Sequence, residues 1–193
     1  MDEKFLLSCK EDLFAKIGPR NKWFCKIDLE AAYHQIPKKQ ESQSLTTIIT
    51  HIGTFKYKVM PFGIKTAPAA FQRIMDKNLR GCKNTLCYLD DILIAAKSET
   101  ELDNRVKEVR RILENKGLLI NDDKSILKSQ EVSWLGYNIS ELGIKPDKDK
   151  AEQIQRLKKP ENVKELRQLL GIVNYYQKYI PNMAVIAEPS TVC

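Results

Sequence analysis

Residues 85–96 read TLCYLDDILIAA, in which Asp90 and Asp91 separate two short apolar runs. Short apolar runs on either side of such a break predict a β-hairpin with an acidic tip. Adjacent carboxylates repel each other and raise each other's pKa, a cost that a cation or hydrogen-bond donors would relieve. A solvated turn is the simpler alternative, because Asp is a common turn residue.

A third carboxylate, Asp28, ends another predicted strand at residues 22–28, where apolar and polar side chains alternate. If this strand lies beside the acidic hairpin, Asp28, Asp90 and Asp91 converge on one sheet edge. Oxygen ligands without His or Cys favour Mg²⁺ or Mn²⁺. A pair of such ions suits in-line phosphoryl transfer. Taken alone, Asp28 would be interpreted as a surface strand end.

The rest of the chain mixes strands and helices over its first three-quarters, and helices dominate its last quarter. Two capping boxes are predicted to open helices: Ser98 with Glu101, and Asn162 with Glu165. The other predicted elements are helices over 9–17 and 67–80 and strands over 44–50, 54–60, 118–120 and 132–139. With a boundary near 143–147, this order predicts an α+β fold.

Composition excludes several classes of protein. The chain has 193 residues and a net charge of +7, which is compatible with nucleic-acid binding. Its five cysteines form no C-x-x-C pair, and with two histidines they cannot build a disulfide framework or a zinc finger. No apolar run approaches the roughly 18 residues of a membrane span, and the acidic start does not resemble a signal peptide. We therefore expect an intracellular protein without a membrane segment.

Five ordered blocks carry a family resemblance. They are DLEAAYHQI (28–36), MPFGIKTAPAAFQ (60–72), YLDDILI (88–94), WLGY (134–137) and LLGIVNYY (169–176). In order and spacing they resemble the reverse transcriptases of gypsy-like LTR retrotransposons and their retroviral relatives, over about residues 5–188. The resemblance implies a right-hand polymerase palm, an antiparallel sheet packed on helices, followed by a short C-terminal helical thumb remnant. The implied domains are a palm with partial fingers at 1–143 and a truncated, helical start of the thumb at 144–193.

The resemblance also assigns roles to single residues. Asp28, Asp90 and Asp91 match the metal-binding catalytic triad, with the backbone carbonyl of Leu29 as a further ligand. Two Mg²⁺ ions are implied, and Mn²⁺ is possible. Lys124 lies where the family places a basic residue that can protonate the pyrophosphate leaving group; a surface lysine is the alternative.

Two further groups of residues match substrate-binding segments of the family. Tyr33 matches the aromatic gate beneath the sugar of the incoming nucleotide, although a core aromatic is the alternative, and Phe62 and Gly63 match the loop that lines the nucleotide pocket. The primer grip, an apolar turn that seats the primer end, is matched by Trp134, Leu135, Gly136 and Tyr137.

The implied activity is RNA-directed DNA synthesis: nucleotidyl transfer from a dNTP to a primer 3′-OH on an RNA or DNA template. Other segments of a retroelement polyprotein are expected partners. Basic residues of the thumb segment are expected to meet template–primer phosphates, with a solvated helix face as the alternative for each: Lys158, Lys159, Lys164, Arg167 and Lys178. Because the family's fingers begin well upstream of Asp28, we expect the isolated chain to polymerise poorly. The alternative is a truncated, weak or inactive remnant that acts at most as a nucleic-acid-binding module.

Overall fold

The computed structural model describes residues 10–18, 20–147, 152 and 159–177. The helices are α1 (Lys10–Ala15), α2 (Gln40–Gln43), α3 (Ala67–Asn78), α4 (Glu99–Asn115) and α5 (Val163–Tyr176), with short 3₁₀ helices at Ala32–Gln35 and Ser44–Thr46. The strands are β1 (Trp23–Leu29), β2 (Thr47–Thr50), β3 (Gly53–Lys56), β4 (Thr85–Tyr88), β5 (Asp91–Ala96), β6 (Ile120–Ser129), β7 (Glu131–Trp134), β8 (Tyr137–Ser140) and β9 (Gly143–Pro146). The predicted α+β fold is confirmed. Within the described residues, no helix combines the length and the apolar character needed to cross a bilayer.

A four-stranded antiparallel sheet in the order β4-β5-β1-β6 forms the centre of the molecule. Side chains alternate between the two faces of a strand, and Cys25 and Ile27 of β1 are buried on the face that packs against α3 and α4. Phe71 and Met75 from α3 and Leu102, Val109 and Leu113 from α4 complete this layer. The apolar side chains of these two helices therefore form one core with the sheet.

The opposite face of the sheet is covered by α1 and the β7–β8 hairpin. Phe14 of α1 makes edge-to-face contacts there with the ring of Trp134, at 5.7 Å between centroids, and with that of Tyr137, at 5.0 Å. Phe24 of β1 is buried in the same cluster. Both faces of β1 are thus buried over most of its length, and its two charged side chains, Lys26 and Asp28, lie towards its second half and are only partly buried.

Residues 132–139 differ from the single strand that the sequence predicted. They form the hairpin of β7 and β8, and Leu135 (φ 52°) and Gly136 (φ 83°) make its two-residue turn. Positive φ at both central residues is typical of a type I′ turn, which matches the twist of antiparallel strands. The apolar run hid this turn because Leu is rare in the left-handed region.

The chain after this hairpin also differs from the predicted organisation. Strand β9 pairs with β8, so residues 143–146 belong to a three-stranded sheet and not to a helical segment. A domain boundary between 143 and 144 would divide this strand, and the division into domains stays a prediction. The capping box at Asn162 is confirmed, since its side chain accepts a hydrogen bond from Glu165 N at 2.9 Å and α5 follows.

Two other predicted strands have different lengths in the structure. The strand predicted at 118–120 is ten residues long, Ile120–Ser129, because it continues along β1. The hairpin predicted at 44–60 is present but shorter, with β2 and β3 of four residues each. Several of its apolar side chains, including Ile49, are exposed. These strands therefore lack the core packing that would stabilise a longer hairpin.

The first turn of α4 provides a test of the predicted capping box. Ser98 Oγ accepts a hydrogen bond from Glu101 N at 3.3 Å, and Glu101 Oε2 accepts one from Lys97 N at 2.9 Å. The hydrogen bond from Lys97 N is the main reason that the pKa of Glu101 is lowered, and Arg105 acts in the same direction. A lowered pKa in the folded state stabilises the protein above the unfolded-state pKa, and the gain disappears as the pH falls through the folded-state pKa.

We therefore expect Glu101→Gln to lower the free energy of unfolding by about 0.5–1 kcal/mol at pH 7. The difference from the wild type should begin to shrink below the unfolded-state pKa of glutamate and disappear once the pH has fallen through the lowered folded-state pKa of Glu101. Urea denaturation at several pH values measures both effects. Glu114→Gln, at an exposed position near the other end of α4, is the control, and a pH-independent loss in Glu101→Gln would contradict the prediction.

Candidate active site

The pairing of β1 with β5 brings the predicted catalytic carboxylates to one end of the sheet. The two strands are antiparallel, and Asp28 lies directly opposite Asp91. Asp90 precedes β5 in the tight turn after Tyr88, which is itself the cross-strand partner of Asp91. The sequence predicted this convergence on the condition that the two strands were neighbours, and they are. The site lies at the ends of two central strands and not on an edge strand.

One face of the sheet carries both directly paired carboxylates. Asp28 shares its face of β1 with Lys26 and with the buried Phe24, and Asp91 shares its face of β5 with Leu93. Like charges directly opposite each other in antiparallel strands are destabilising. Lys26 offsets part of this repulsion, because its Nζ lies 3.1 Å from Asp91 Oδ1.

The electrostatic coupling of the site is visible at Asp90. Loss of hydration is the largest cause that raises the pKa of Asp90, and repulsion from Asp91 and Asp28 raises it further. Lys26 opposes this shift. The three carboxylates therefore influence one another, and ionising all of them at neutral pH costs free energy unless cations are present.

The turn that carries Asp90 is held by Gln72, a residue to which the sequence assigned no role. Gln72 lies on α3, is only 4% exposed, and accepts a hydrogen bond from Leu89 N at 2.7 Å. Its amide donates to the carbonyl of Cys87 at 2.9 Å and to Asp76 Oδ1 at 2.8 Å. Leu89 has a φ of 57°, in the left-handed region that costs a branched side chain free energy. Gln72 therefore holds the backbone at the beginning of a strained turn.

The sequence of α3 contains an indication that Gln72 has a structural role. Gln72 occupies a position on the apolar stripe of α3, three residues before the buried Met75 and next to the buried Phe71. A polar side chain at a core position of a helix requires hydrogen-bond partners. The periodicity could therefore have identified Gln72 as a structural amide, although not the turn that it contacts.

The neighbouring strand β6 supports Asp28 from its other side. Lys26 is opposite Ile126 while Asp28 is opposite Asn121, so residues 122–125 bulge out between the two pairs. The hydroxyl of Ser125, within this bulge, accepts a hydrogen bond from Asp28 N at 3.1 Å and donates to Asn121 O at 2.6 Å. Bulges next to active sites commonly re-aim side chains.

Lys124 and Leu29 are the two other residues that the family resemblance assigned to the carboxylate site. Lys124 is exposed within the bulge of β6 beside Asp28, and its backbone N–H donates to Asn121 Oδ1 at 3.2 Å. Leu29 is the last residue of β1, and its side chain is buried at 2% exposure. Both lie near the carboxylates, and their chemical roles stay predictions.

The predicted nucleotide-binding residues surround an aromatic cluster. Tyr33 lies in the 3₁₀ helix after β1, half-buried, with its ring 5.3 Å from the rings of both Phe62 and Phe71. Burial raises the pKa of Tyr33, and the negative charge of Asp90 raises it further, so the phenol faces the field of the carboxylates. Tyr33 is thus neither a fully buried core residue nor a free surface side chain.

Phe62 and Gly63 line a cleft beside this cluster. The cleft has a volume of about 450 Å³ and is bounded by residues of the β2–β3 region and by His34, Phe62 and Gly63. Gly63 has a φ of 85°, which favours glycine, and the space beside its Cα is open. Phe62 is 65% exposed, so its ring presents a face to this cleft.

Glutamine 35 holds the segment that carries Tyr33. Gln35 Nε2 donates to the carbonyl oxygens of Glu30 and Leu119, and its Oε1 accepts from Leu119 N at 2.6 Å. The amide thereby ties the loop after Asp28 to the connection between α4 and β6. Gln35 belongs to the sequence block at residues 28–36. That block does not indicate this contact, because Leu119 lies 84 positions away in the chain.

The predicted primer grip divides into two parts in the structure. Trp134 and Tyr137 are 0% and 1% exposed and pack against Phe14. These two rings are therefore not accessible to a primer in this conformation, and the primer grip stays a prediction. Leu135 and Gly136, at the turn between them, are only partly buried. The buried rings anchor the hairpin, and its turn is the part that a ligand could reach.

The donor set at the carboxylates fits a hard divalent cation. The residues that meet there offer oxygen ligands and carry like charges in close register, which Mg²⁺ or Mn²⁺ would compensate. Among the described residues, however, no group of three or more His, Cys, Asp and Glu side chains is arranged to hold a metal ion. Asp91 pairs with Lys26 instead, so ligation would require its carboxylate to move.

Comparison with known proteins identifies the family of this site. The family model described as "Reverse transcriptase (RNA-dependent DNA polymerase)" matches residues 5–139. The chain is also 41% identical over 181 residues to the Transposon Tf2-3 polyprotein of Schizosaccharomyces pombe, covering 93% of this chain and 14% of that protein. This chain belongs to the reverse transcriptase family of LTR retroelements. It spans only about a seventh of the length of the curated relatives that it matches.

Solved structures agree with the predicted polymerase palm. A foamy viral protease-reverse transcriptase in complex with dsDNA is similar with a TM-score of 0.86 at 25% identity, covering 94% of this chain and 38% of that one. The same kind of protein in complex with an RNA/DNA hybrid has a TM-score of 0.83 at 25% identity, covering 96% of this chain and 25% of that one. The palm assignment is confirmed.

The contacts of Gln72 with the acidic turn lead to a prediction about this residue. In Gln72→Leu, Leu89 N and Cys87 O lose their buried partner, so we expect the free energy of unfolding to fall by about 2–4 kcal/mol. Gln72→Glu keeps an acceptor for Leu89 N but places a carboxylate beside Asp76, and we expect an intermediate loss that is smaller at low pH.

Hydrogen exchange at the Leu89 amide separates this role from general core packing. Both substitutions should lower protection in the middle of α4 by no more than the loss in global stability. The Leu89 amide should lose more protection than this in Gln72→Leu, and it should exchange faster there than in Gln72→Glu. Met75→Leu, one turn along α3, is the packing control. Unchanged exchange at Leu89 in Gln72→Leu would show that the turn does not depend on this amide.

Proposed function

We propose that this chain is the RNA-directed DNA polymerase segment of a retroelement polyprotein. The observation that supports this most directly is the register that places Asp28 opposite Asp91 with Asp90 in the adjoining turn. In the proposed reaction, the primer 3′-OH attacks the α-phosphorus of a dNTP, and the bond to the β-phosphate oxygen breaks so that pyrophosphate leaves. The relatives are transposon polyproteins, and we place the activity inside the cell.

The cofactor would be a pair of divalent cations, Mg²⁺ or Mn²⁺. Asp28, Asp90 and Asp91 would hold them, with the carbonyl oxygen of Leu29 as a further ligand. When bound, such ions lower the pKa of the attacking hydroxyl and offset the charge on the leaving oxygens. The oxygen donors and the mutual repulsion of the carboxylates support this assignment.

The dNTP would occupy the space between the carboxylates and the aromatic cluster. Tyr33 would lie beneath the sugar, where its ring leaves no room for a 2′-hydroxyl, and Phe62 and Gly63 would line the pocket. Burial is the main cause that raises the pKa of Tyr33, and the further effect of Asp90 supports placing the ring beside the proposed carboxylate site. Lys124, exposed beside Asp28, would supply a proton to pyrophosphate.

An RNA or DNA template with its primer would be the main partner. The partly exposed turn at Leu135 and Gly136 would seat the primer end. Lys159, Lys164 and Arg167 are exposed, as expected for contacts with phosphates; Lys158 and Lys178, predicted to act with them, lie outside the described residues. Because the relatives are far longer than this chain, other polyprotein segments would complete the enzyme. A remnant that only binds nucleic acid is not favoured, since the carboxylates and their supporting contacts are present.

Replacing a metal-ligating carboxylate tests the proposed chemistry. We expect Asp90→Asn or Asp91→Asn to reduce single-nucleotide extension of a primed RNA template by on the order of 10³-fold or more, because charge at the metal site is lost. The assay is run with the chain itself and with the chain joined to the segment that precedes the matching region in the S. pombe relative. Asp12→Asn, at an exposed position in α1, is the control for charge.

Thermal unfolding gives a second measure for the same variants. Because the pKa of Asp90 is raised in the folded state, its ionised form costs stability at pH 7, and Asp90→Asn should unfold at a higher temperature than the wild type. Addition of MgCl₂ should stabilise the wild type more than either variant. Equal responses to MgCl₂ in all of these proteins, together with no extension by the wild type, would contradict the proposed function.

A smaller side chain at position 33 tests the nucleotide pocket. In Tyr33→Val we expect the preference for a dNTP over the matching rNTP to fall by at least about tenfold, because the space for a 2′-hydroxyl opens. Comparing kcat/KM for the two nucleotides measures the change. Tyr57→Val, in the neighbouring cleft, controls for the loss of an aromatic side chain. An unchanged ratio would mean that Tyr33 serves as a packing residue.

A further inference from the structure

Lys26 is the cation that the structure places among the proposed metal ligands. It lies on β1 two residues before Asp28 and on the same face of the strand, which is the face that Asp91 shares on β5. Its Nζ is 3.1 Å from Asp91 Oδ1, and the two side chains are 24% and 27% exposed. Lys26 is opposite Leu93 in the register, so it reaches Asp91 along the diagonal between the two strands.

The register of β1 and β5 explains why Lys26 pairs with Asp91. Asp28 and Asp91 face each other directly, an arrangement that destabilises antiparallel strands when both are charged. A lysine on the diagonal adds an attractive contact for one of the two carboxylates. The ammonium therefore supplies positive charge where the site needs it without a bound ion.

The same contact is incompatible with full metal ligation. An Asp91 oxygen that lies 3.1 Å from an ammonium nitrogen in an ion pair is not free in that direction for a divalent cation. Two positive charges at the same carboxylate also repel each other. Lysine suits such a position, because its compact charge sits on a flexible stem that can swing away while the backbone stays in the sheet.

We propose that Lys26 is a resident counter-ion of the carboxylate site, which must leave Asp91 before a divalent cation binds there and which thereby weakens metal binding. This inference rests on the proposed function, because it assumes that Asp91 is a metal ligand. Lys26 is a positioning residue: it acts on the reaction only through Asp91. Its presence keeps the β1–β5 pairing stable while the metal is absent and sets the metal concentration at which the site fills.

The test is the affinity of the full chain for Mg²⁺ alone, measured by isothermal titration calorimetry and by the dependence of Tm on MgCl₂ at constant ionic strength. Lys26→Met removes the charge at similar length, and we expect Mg²⁺ to bind about three- to tenfold more tightly. Lys26→Arg offers Asp91 a bidentate partner, and we expect weaker binding than in the wild type. Without MgCl₂, the Tm of Lys26→Met should be lower than that of Lys26→Arg.

Lys22→Met is the matched control. Lys22, just before β1, forms an ion pair of similar length, 2.8 Å, with Glu141, far from the carboxylates in the register. We expect its Mg²⁺ affinity to equal that of the wild type. If Lys26→Met does not fold, the order of wild type and Lys26→Arg decides the matter: equal or tighter binding by Lys26→Arg overturns the proposal.

The outcomes separate this inference from the proposed function. Tighter binding by Lys26→Met and weaker binding by Lys26→Arg support the counter-ion role. Equal or weaker binding by Lys26→Met, while Asp91→Asn abolishes binding, overturns the role of Lys26 and leaves the metal site intact. If the wild type and every variant, including Asp91→Asn, respond equally to MgCl₂, the metal site itself is contradicted, and the inference is overturned with it.

Discussion

The antiparallel pairing of β1 with β5 is the constraint on which the rest of this molecule depends. Its register places Asp28 opposite Asp91, and both strands are buried along most of their length because their apolar side chains fill cores on the two faces of the sheet. A shift by one residue would move every one of these side chains to the other face. The burial of the strands therefore fixes the position of the carboxylates.

The site combines this rigid pairing with a turn that is costly to form. Leu89 adopts a left-handed conformation between Tyr88 and Asp90, and the buried amide of Gln72 bonds to Leu89 N and to the preceding carbonyl of Cys87. Strain of this kind persists only where the surroundings over-determine it. The geometry of the turn is thus stabilised by a helix that contributes none of the proposed catalytic groups.

Electrostatic repulsion is the second cost of the site. The carboxylates at this end of the sheet raise the pKa of Asp90, after the larger effect of lost hydration, and Lys26 offsets part of the repulsion through Asp91. The protein therefore carries an internal cation in a place where the proposed chemistry needs metal ions. Stability without metal and affinity for metal become opposing demands on the same few side chains.

Local sequence patterns alone were enough to predict several strands, turns and helix ends of this protein. Alternation in residues 22–28, the acidic break at Asp90, and the capping box at Ser98 each depend on side chains close together in the chain, so they could be predicted from the sequence. The family resemblance, which extends over spaced blocks, supplied the palm and its candidate residues. Those blocks could indicate which residues matter but not what each of them touches.

The tertiary structure decided the contacts between distant segments. Gln72 reaching Leu89, Gln35 reaching Leu119, and Lys26 reaching Asp91 all join separate elements, and no periodicity within one element encodes them. The turn at Leu135 was hidden because its left-handed backbone is stabilised by the buried rings on either side of it and not by a glycine at that position. Local preferences specify elements, whereas packing selects which polar groups meet between them.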